Sequence, residues 1–240
     1  MKVINLISGP RNLSTALMYS FAQRPDMKVL DEPFYGYYLS NADVKIQHPC
    51  HNEIVRTMPN DAALVLNQIR ALSTSHHVFV KGMAHHYLSD APEFILKWHN
   101  IILIRHPKKL LASFAKVIEH PTLDDIGIKK ASEIFTYLTS EGKTPIVIDS
   151  DELLKDPSTY LKKICSLLQI PFFEAMLSWK KGGIPEDGIW AEHWYANVHN
   201  SEGFAVQRTS DQPLPEYLEP VLAAALPYYN ILKNHILKND

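Results

Sequence analysis

The sequence predicts an α/β fold of three layers: a central parallel sheet of about five strands with helices on both faces. Three observations carry this. Five short apolar, β-branched runs recur along the chain, helical patterns separate them, and hydrophobicity within each run is continuous rather than alternating. Continuous hydrophobicity marks a strand covered on both faces, as parallel strands are. Regular alternation of strand and helix points to a doubly wound sheet.

Residues 3–7 form the first run, broken at Gly9-Pro10 before a helical pattern over 14–23. Residues 27–30 form the second, expected to lie beside the first, and a helical pattern covers 53–72. The third run, 78–80, ends at Lys81. The fourth, 101–104, precedes helical patterns over 108–119 and 129–141, and 146–148 is the fifth. Asp156-Pro157 then reads as an N-cap followed by proline at the first helical position. Tyr160, Leu161, Ile164, Leu167 and Leu168 make the apolar stripe of that helix, and Pro171 stops it. Residues 180–215 differ from the rest. They hold four glycines, Trp190 and Trp194 but little periodicity, and a loop that long inside a compact domain is usually functional. The expectation is a lid or a wall of the substrate pocket.

A chain of 240 residues fits one domain, 1–240, with elaborations. The net charge of −2 argues against nucleic acid or an anionic membrane as partner, so any grip on an anion must be local. Cys50 and Cys165 form neither a disulfide framework nor a zinc cluster, and Cys165 sits in an apolar helical run as a core residue. The first residues are too short an apolar stretch for an export signal, and no run approaches eighteen apolar residues. The setting read from this is reducing and cytoplasmic. Nothing in the sequence indicates an oligomeric state.

Chemistry concentrates first at Gly9-Pro10-Arg11-Asn12-Leu13-Ser14-Thr15, between a strand and an amphipathic helix. At such a junction, free backbone N–H groups and the helix dipole favour an anion. Arg11 adds a permanent charge with a bidentate fork, and Ser14 and Thr15 add hydroxyl donors. The alternative is a tight turn with Ser14 or Thr15 as N-cap. The nucleotide-triphosphatase pattern GxxxxGK[ST] is absent: no lysine precedes Ser14, and Leu13 stands where a second glycine is expected.

Residues 10–15 resemble the P-[KR]-S-G-[ST]-T loop of the sulfotransferase superfamily, aligning without a gap, with Asn12 and Leu13 in the Ser-Gly places. A second match is independent. Arg105-His106-Pro107 follows a strand, with Ser113 eight residues after the arginine, similar to the family's R-[ND]-P and serine pair. Lys81 followed by His85 resembles a strand-K-x-x-x-H element, and residues 149–172 resemble an acidic, L-L-x-D-P, helix, L-x-I-P-F stretch. Together these matches span roughly residues 2–173. The family's C-terminal R-K-G-x-x-G element is missing. The whole chain, with Asp31-Glu32-Pro33-Phe34-Tyr35, resembles a set of sulfotransferase-like proteins, some of which carry branched-chain aminotransferase-like names. No pyridoxal-binding pattern accompanies the resemblance.

The resemblance implies a P-loop nucleotide-triphosphatase-like fold and 3′-phosphoadenosine-5′-phosphosulfate (PAPS) as co-substrate. Residues 9–15 would hold its 5′-phosphosulfate, Arg105 and Ser113 its 3′-phosphate. The partner implied is a small-molecule hydroxyl or amine acceptor. Sulfuryl transfer needs cations around the transferred group and a base for the acceptor. Glu32, after the second strand, is preferred as base, the alternative being that Asp31 or Glu32 caps the next segment. His85 is the other candidate, with a pKa near working pH. Lys81 is expected as a cation near the transferred group. No metal is expected, since His76-His77 and His85-His86 are adjacent pairs that point apart in an extended segment. Trp190, Trp194, Tyr195, Phe34, Tyr35, Tyr37 and Tyr38 either wall an apolar acceptor pocket or are plain core. Two other readings stay open: a P-loop kinase or nucleotide hydrolase, and a nucleotide-binding protein without catalysis.

Overall fold

The computed structural model describes residues 1–44, 48–205 and 214–238. Five strands, β1 (Val3–Ser8), β2 (Met27–Asp31), β3 (His77–Met83), β4 (His99–Ile104) and β5 (Ile146–Asp149), form one sheet. All neighbours are parallel, in the order β2-β3-β1-β4-β5. The helices are α1 (Ser14–Ala22), α2 (Tyr35–Asn41), α3 (His51–Thr57), α4 (Ala62–Leu72), α5 (Pro107–Phe114), α6 (Ile128–Ser140), α7 (Ser150–Lys155) and α8 (Pro157–Leu167). Two four-residue helices, α9 (Ala191–Trp194) and α10 (Ala196–His199), and the long α11 (Glu219–Lys233) follow. Among the described residues no helix is long and apolar enough to cross a membrane.

Successive strand residues go to opposite layers. Ile4, Leu6, Phe79, Ile101, Leu103 and Ile148 pack with α1 and α8, whereas Ile7, Val78, Val80, Ile102, Ile104 and Val147 pack with α4, α5, α6 and α11. Each such side chain removed from water contributes about 1.5–3 kcal/mol, which is why the runs are continuous. A buried polar exception is Asn5 in β1, whose amide donates to Asn100 (3.0 Å) and accepts from the Tyr87 hydroxyl (2.7 Å).

Several expectations are corrected. Strand β2 does not lie beside β1, because β3 is inserted between them. The pattern over 53–72 is two helices: Met58 is extended (ψ 155°), the conformation a following proline imposes, and Asp61 then caps α4 through the Ala63 and Leu64 N–H groups. Strand β3 runs on to Met83, so Lys81 lies inside the strand rather than at its end. Helix α5 stops at Phe114, and the chain continues as turns. In α8 the N-cap is as expected, with the Asp156 carboxylate accepting from Thr159 N–H at 3.0 Å. Its stripe, however, uses Cys165, which is buried, and leaves Leu167 54% exposed. Residues 160, 161, 164, 165 and 168 share one face, and 167 falls off that phase. The stretch 180–215 contains α9 and α10, with 206–213 outside the described residues.

Candidate active site

The carboxyl ends of β1 to β4 open into one cavity of about 570 Å³, the place where open parallel sheets bind ligands. Pro10, Arg11, Asn12, Leu13, Ser14, Thr15, Glu32, Lys81, His85, Arg105 and Ser113 all line it. Gly9 is the exception. A Cβ there would sit 2.2 Å from the Ile126 carbonyl oxygen, so its glycine serves a close backbone approach.

The loop after β1 takes at two positions the shape a glycine would allow, although neither residue is glycine. Arg11 (φ 61°) and Leu13 (φ 67°) are both left-handed, which costs a non-glycine residue about 1–2 kcal/mol. Leu13 is the N-cap of α1 and offers no side-chain cap, leaving the first-turn N–H groups for an anion. The Asn12 amide does not face that anion position. Its Nδ2 donates to the Leu103 carbonyl at 3.2 Å and ties the loop to β4. Ser150 grips the same loop from the start of α7, donating to the Ile104 carbonyl (2.9 Å) and reaching the Asn12 carbonyl (3.3 Å).

Two guanidiniums meet here. Arg105 donates from Nη1 to the Arg11 carbonyl (2.8 Å), and Arg11 donates from Nε to the Ser113 hydroxyl (3.2 Å). Arg105 is 8% exposed, and its Nε is buried without a hydrogen-bond partner. Burial lowers both guanidinium pKa values from the ordinary arginine value. At Arg105 the Asp151 charge offsets part of this, and the Arg11 charge adds to it. A buried and a half-buried guanidinium with an idle donor could hold an anion.

The opposite end is acidic and internally paired. Glu32 follows β2 in a left-handed conformation (φ 46°), held by its own N–H to the Lys81 carbonyl (2.8 Å). That strain aims its carboxylate into the cavity. The Lys81 ammonium, fully buried, donates to Asp31 (2.8 Å), Glu32 Oε1 (2.5 Å) and the Tyr195 hydroxyl (2.6 Å). An ammonium has three donors, and all three are taken. Lys81 is therefore the counter-ion of the acid pair, not a free cation for a transferred group. Burial works against its charge, but the two carboxylates outweigh burial and raise its pKa. Burial also pushes the Glu32 carboxyl up; Lys81 opposes this and Asp31 adds to it.

His85 is half-buried, and burial pulls its pKa down to about 4. At neutral pH it is an uncharged and weak base. Its neighbour His86 lies between the Tyr35 and Tyr38 rings (centroids 4.8 Å from each), with Nδ1 4.0 Å from Glu32 Oε2. Tyr35, Tyr38, Trp190, Trp194 and Tyr195 line the cavity, whereas Phe34 and Tyr37 belong to the core on the other face.

Sequence reasoning missed three roles. Asp31 was legible only as a cap, yet it shares Lys81 with Glu32. Tyr195 was legible only as an aromatic wall, yet its hydroxyl lies 2.8 Å from Asp31. His48 gave no signal, yet its Nδ1 pairs with the Tyr35 hydroxyl at 2.6 Å. The Tyr195 contact spans 164 residues and leaves no trace in local spacing.

Comparison with known proteins agrees with this geometry. A family model described as "Sulfotransferase domain" matches residues 1–236. The chain is 39% identical over 237 residues to branched-chain-amino-acid aminotransferase-like protein 1 of Arabidopsis thaliana, and 39% identical over 239 residues to protein 2. Each match covers 98% of this chain but 42% of the relative, so the chain spans less than half the length of the curated relatives it matches. Among solved structures it is similar to a sulfotransferase from Alicyclobacillus acidocaldarius (TM-score 0.55, 14% identity, covering 98% and 95% of the two chains). It is also similar to the sulfotransferase domain of the Synechococcus PCC 7002 olefin synthase (TM-score 0.51, 15% identity, 93% and 94% covered). At those identities the likeness is one of fold.

Proposed function

The chain belongs to the sulfotransferase family, and from that premise we propose that it transfers a sulfuryl group from PAPS to a small-molecule hydroxyl or amine acceptor. One observation carries the choice of donor: the buried, unpartnered Nε of Arg105 beside Arg11 and Ser113. That group fits the 3′-phosphate, which a nucleotide without it leaves unmet. The uncapped start of α1 and Arg11 take the 5′ end. The segment 190–205, from which Trp190, Trp194, Tyr195 and Phe204 line the cavity, serves as its acceptor-side wall and lid.

In the transfer, the acceptor oxygen or nitrogen forms a bond to sulfur while the bond from sulfur to the phosphate oxygen breaks, leaving its electron pair on adenosine 3′,5′-bisphosphate. Glu32 receives the acceptor proton. Its carboxyl is raised by burial towards working pH, where a base is most effective. Lys81 holds one carboxylate oxygen and leaves the other facing His86 Nδ1 at 4.0 Å.

A calorimetric titration tests the donor. Adenosine 3′,5′-bisphosphate is expected to bind more tightly than AMP. Arg105→Ala should erase that difference, a loss of about 2 kcal/mol for a charged hydrogen bond. Equal wild-type affinity for both nucleotides overturns the PAPS assignment.

A further inference from the structure

The Tyr195 hydroxyl reaches the acid cluster from outside β2 and β3. It accepts from Lys81 Nζ (2.6 Å) and from Trp190 Nε1 (2.9 Å), and donates to Asp31 (2.8 Å). A hydroxyl has one donor and two acceptor positions, so Tyr195 is saturated. Asp31 also receives the Gly188 N–H at 3.0 Å. The turn carrying that N–H needs its glycine, because a Cβ at Gly188 would lie 2.1 Å from the Trp190 ring. The same segment is fastened to α1: Asp187 accepts from the Tyr19 hydroxyl (2.6 Å) and pairs with His199 (3.0 Å).

The two carboxylates are thus served unequally. Asp31 has three donors, Lys81, Tyr195 and Gly188, whereas Glu32 Oε1 has Lys81; the Tyr195 oxygen lies 3.5 Å from it with its one hydrogen already on Asp31. Both compete for one ammonium. We propose that Tyr195 is a positioning residue for the basic carboxylate: seated on the acid pair, it satisfies Asp31 and so keeps Lys81 on Glu32. Segment 184–199 thereby completes the base when it packs down. This rests on the reading of Glu32 as base.

Glu32 is faced by Asp31 from β2, Lys81 from β3, His86 from the turn after β3, Tyr35 from α2 and Tyr195 from the wall. Removing the Tyr195 hydroxyl takes a donor from Asp31, which then draws Lys81 away from Glu32, and a lost donor raises a carboxyl's pKa. The test is a carbon-13 NMR titration of the Glu32 carboxyl in nucleotide-binding protein. Tyr195→Phe should raise its proton affinity by about tenfold and move the acid limb of the transfer rate upward equally. Asp31→Asn removes the competing carboxylate and should lower the midpoint. In that background Tyr195→Phe should change it by less than about threefold.

An unmoved midpoint in Tyr195→Phe overturns the proposal. Should that variant not fold, Asp31→Asn decides alone, and an unchanged or raised midpoint overturns it. A midpoint that moves as expected in a protein that transfers to no acceptor supports the positioning and defeats the sulfuryl reading. Transfer from PAPS with an unmoved midpoint does the reverse.

Discussion

The two ends of the cavity hold the same kind of groups in opposite states. At the Arg11 and Arg105 end, two cations share one serine and one carbonyl, and a buried donor has no partner. At the Asp31 and Glu32 end, one cation serves two anions, and a tyrosine fills its last donor. The first end leaves a buried donor of a cation unmet, whereas at the second the ammonium has all three of its donors taken. Mutations should therefore act on binding at one end, and on stability and rate at the other.

The largest expected effect breaks the self-sufficiency of the acidic end. Lys81→Met leaves two buried carboxylates without their counter-ion, a loss of about 3–5 kcal/mol. Denaturant unfolding at pH 7 should show it. The sign with pH follows from Glu32, whose folded pKa is raised. Such a group favours folding below its unfolded value of about 4.3 and loses that contribution as pH rises through the folded value. The variant should thus regain stability on acidification, and a defect independent of pH between 4 and 7 would argue that the carboxylates are neutral already.

Next comes the reaction rather than the fold. Glu32→Gln should cut single-turnover transfer by roughly 100-fold or more, the ordinary worth of a general base, and leave nucleotide affinity unchanged. Near-normal transfer would remove Glu32 from the role.

At the cationic end, Arg11→Ala should weaken adenosine 3′,5′-bisphosphate and AMP alike, by about 2 kcal/mol for a lost charged contact. Arg11→Lys should restore only part, since a point charge replaces a fork. An Arg11→Ala protein that folds and binds both normally would make the loop purely structural.

The smallest effect sharpens the assignment of the base. His85, with its pKa at about 4, is neutral from pH 6 to 8. His85→Ala should therefore leave the shape of the rate–pH profile unchanged over that range, whatever it does to packing. Loss of an inflection would return proton transfer to the histidine.

Legibility in the sequence followed the range of the interaction. Five strands and the loop between β1 and α1 were visible because their signals are local: continuous apolar runs, a Gly-Pro break, an arginine at a helix start. Even Leu13, the residue that departs from the loop pattern, adopts the left-handed backbone that the pattern demands. Arg105 and Ser113 are eight residues apart and were found together; Tyr195 and Lys81, 114 residues apart, were not. Lys81 illustrates the limit. A lysine after an apolar run reads as a strand end meeting solvent or a ligand, but β3 extends past it, and burial commits its charge to the acids of the neighbouring strand.

Alone, then, the sequence determined the layering, the parallel sheet, the strand–loop–helix junction after the first strand and the arginine after the fourth. Each depends on residues near one another in the chain, whose periodicity and turn chemistry are governed by local sterics and burial. Tertiary structure alone decided that β3 separates β2 from β1, and that Lys81 is bound within the protein. It also brought a tyrosine from the late wall onto the acid pair. Those outcomes depend on which strands pair and which charges lose water together, and the free energy of a buried charge is set by neighbours in space rather than in sequence.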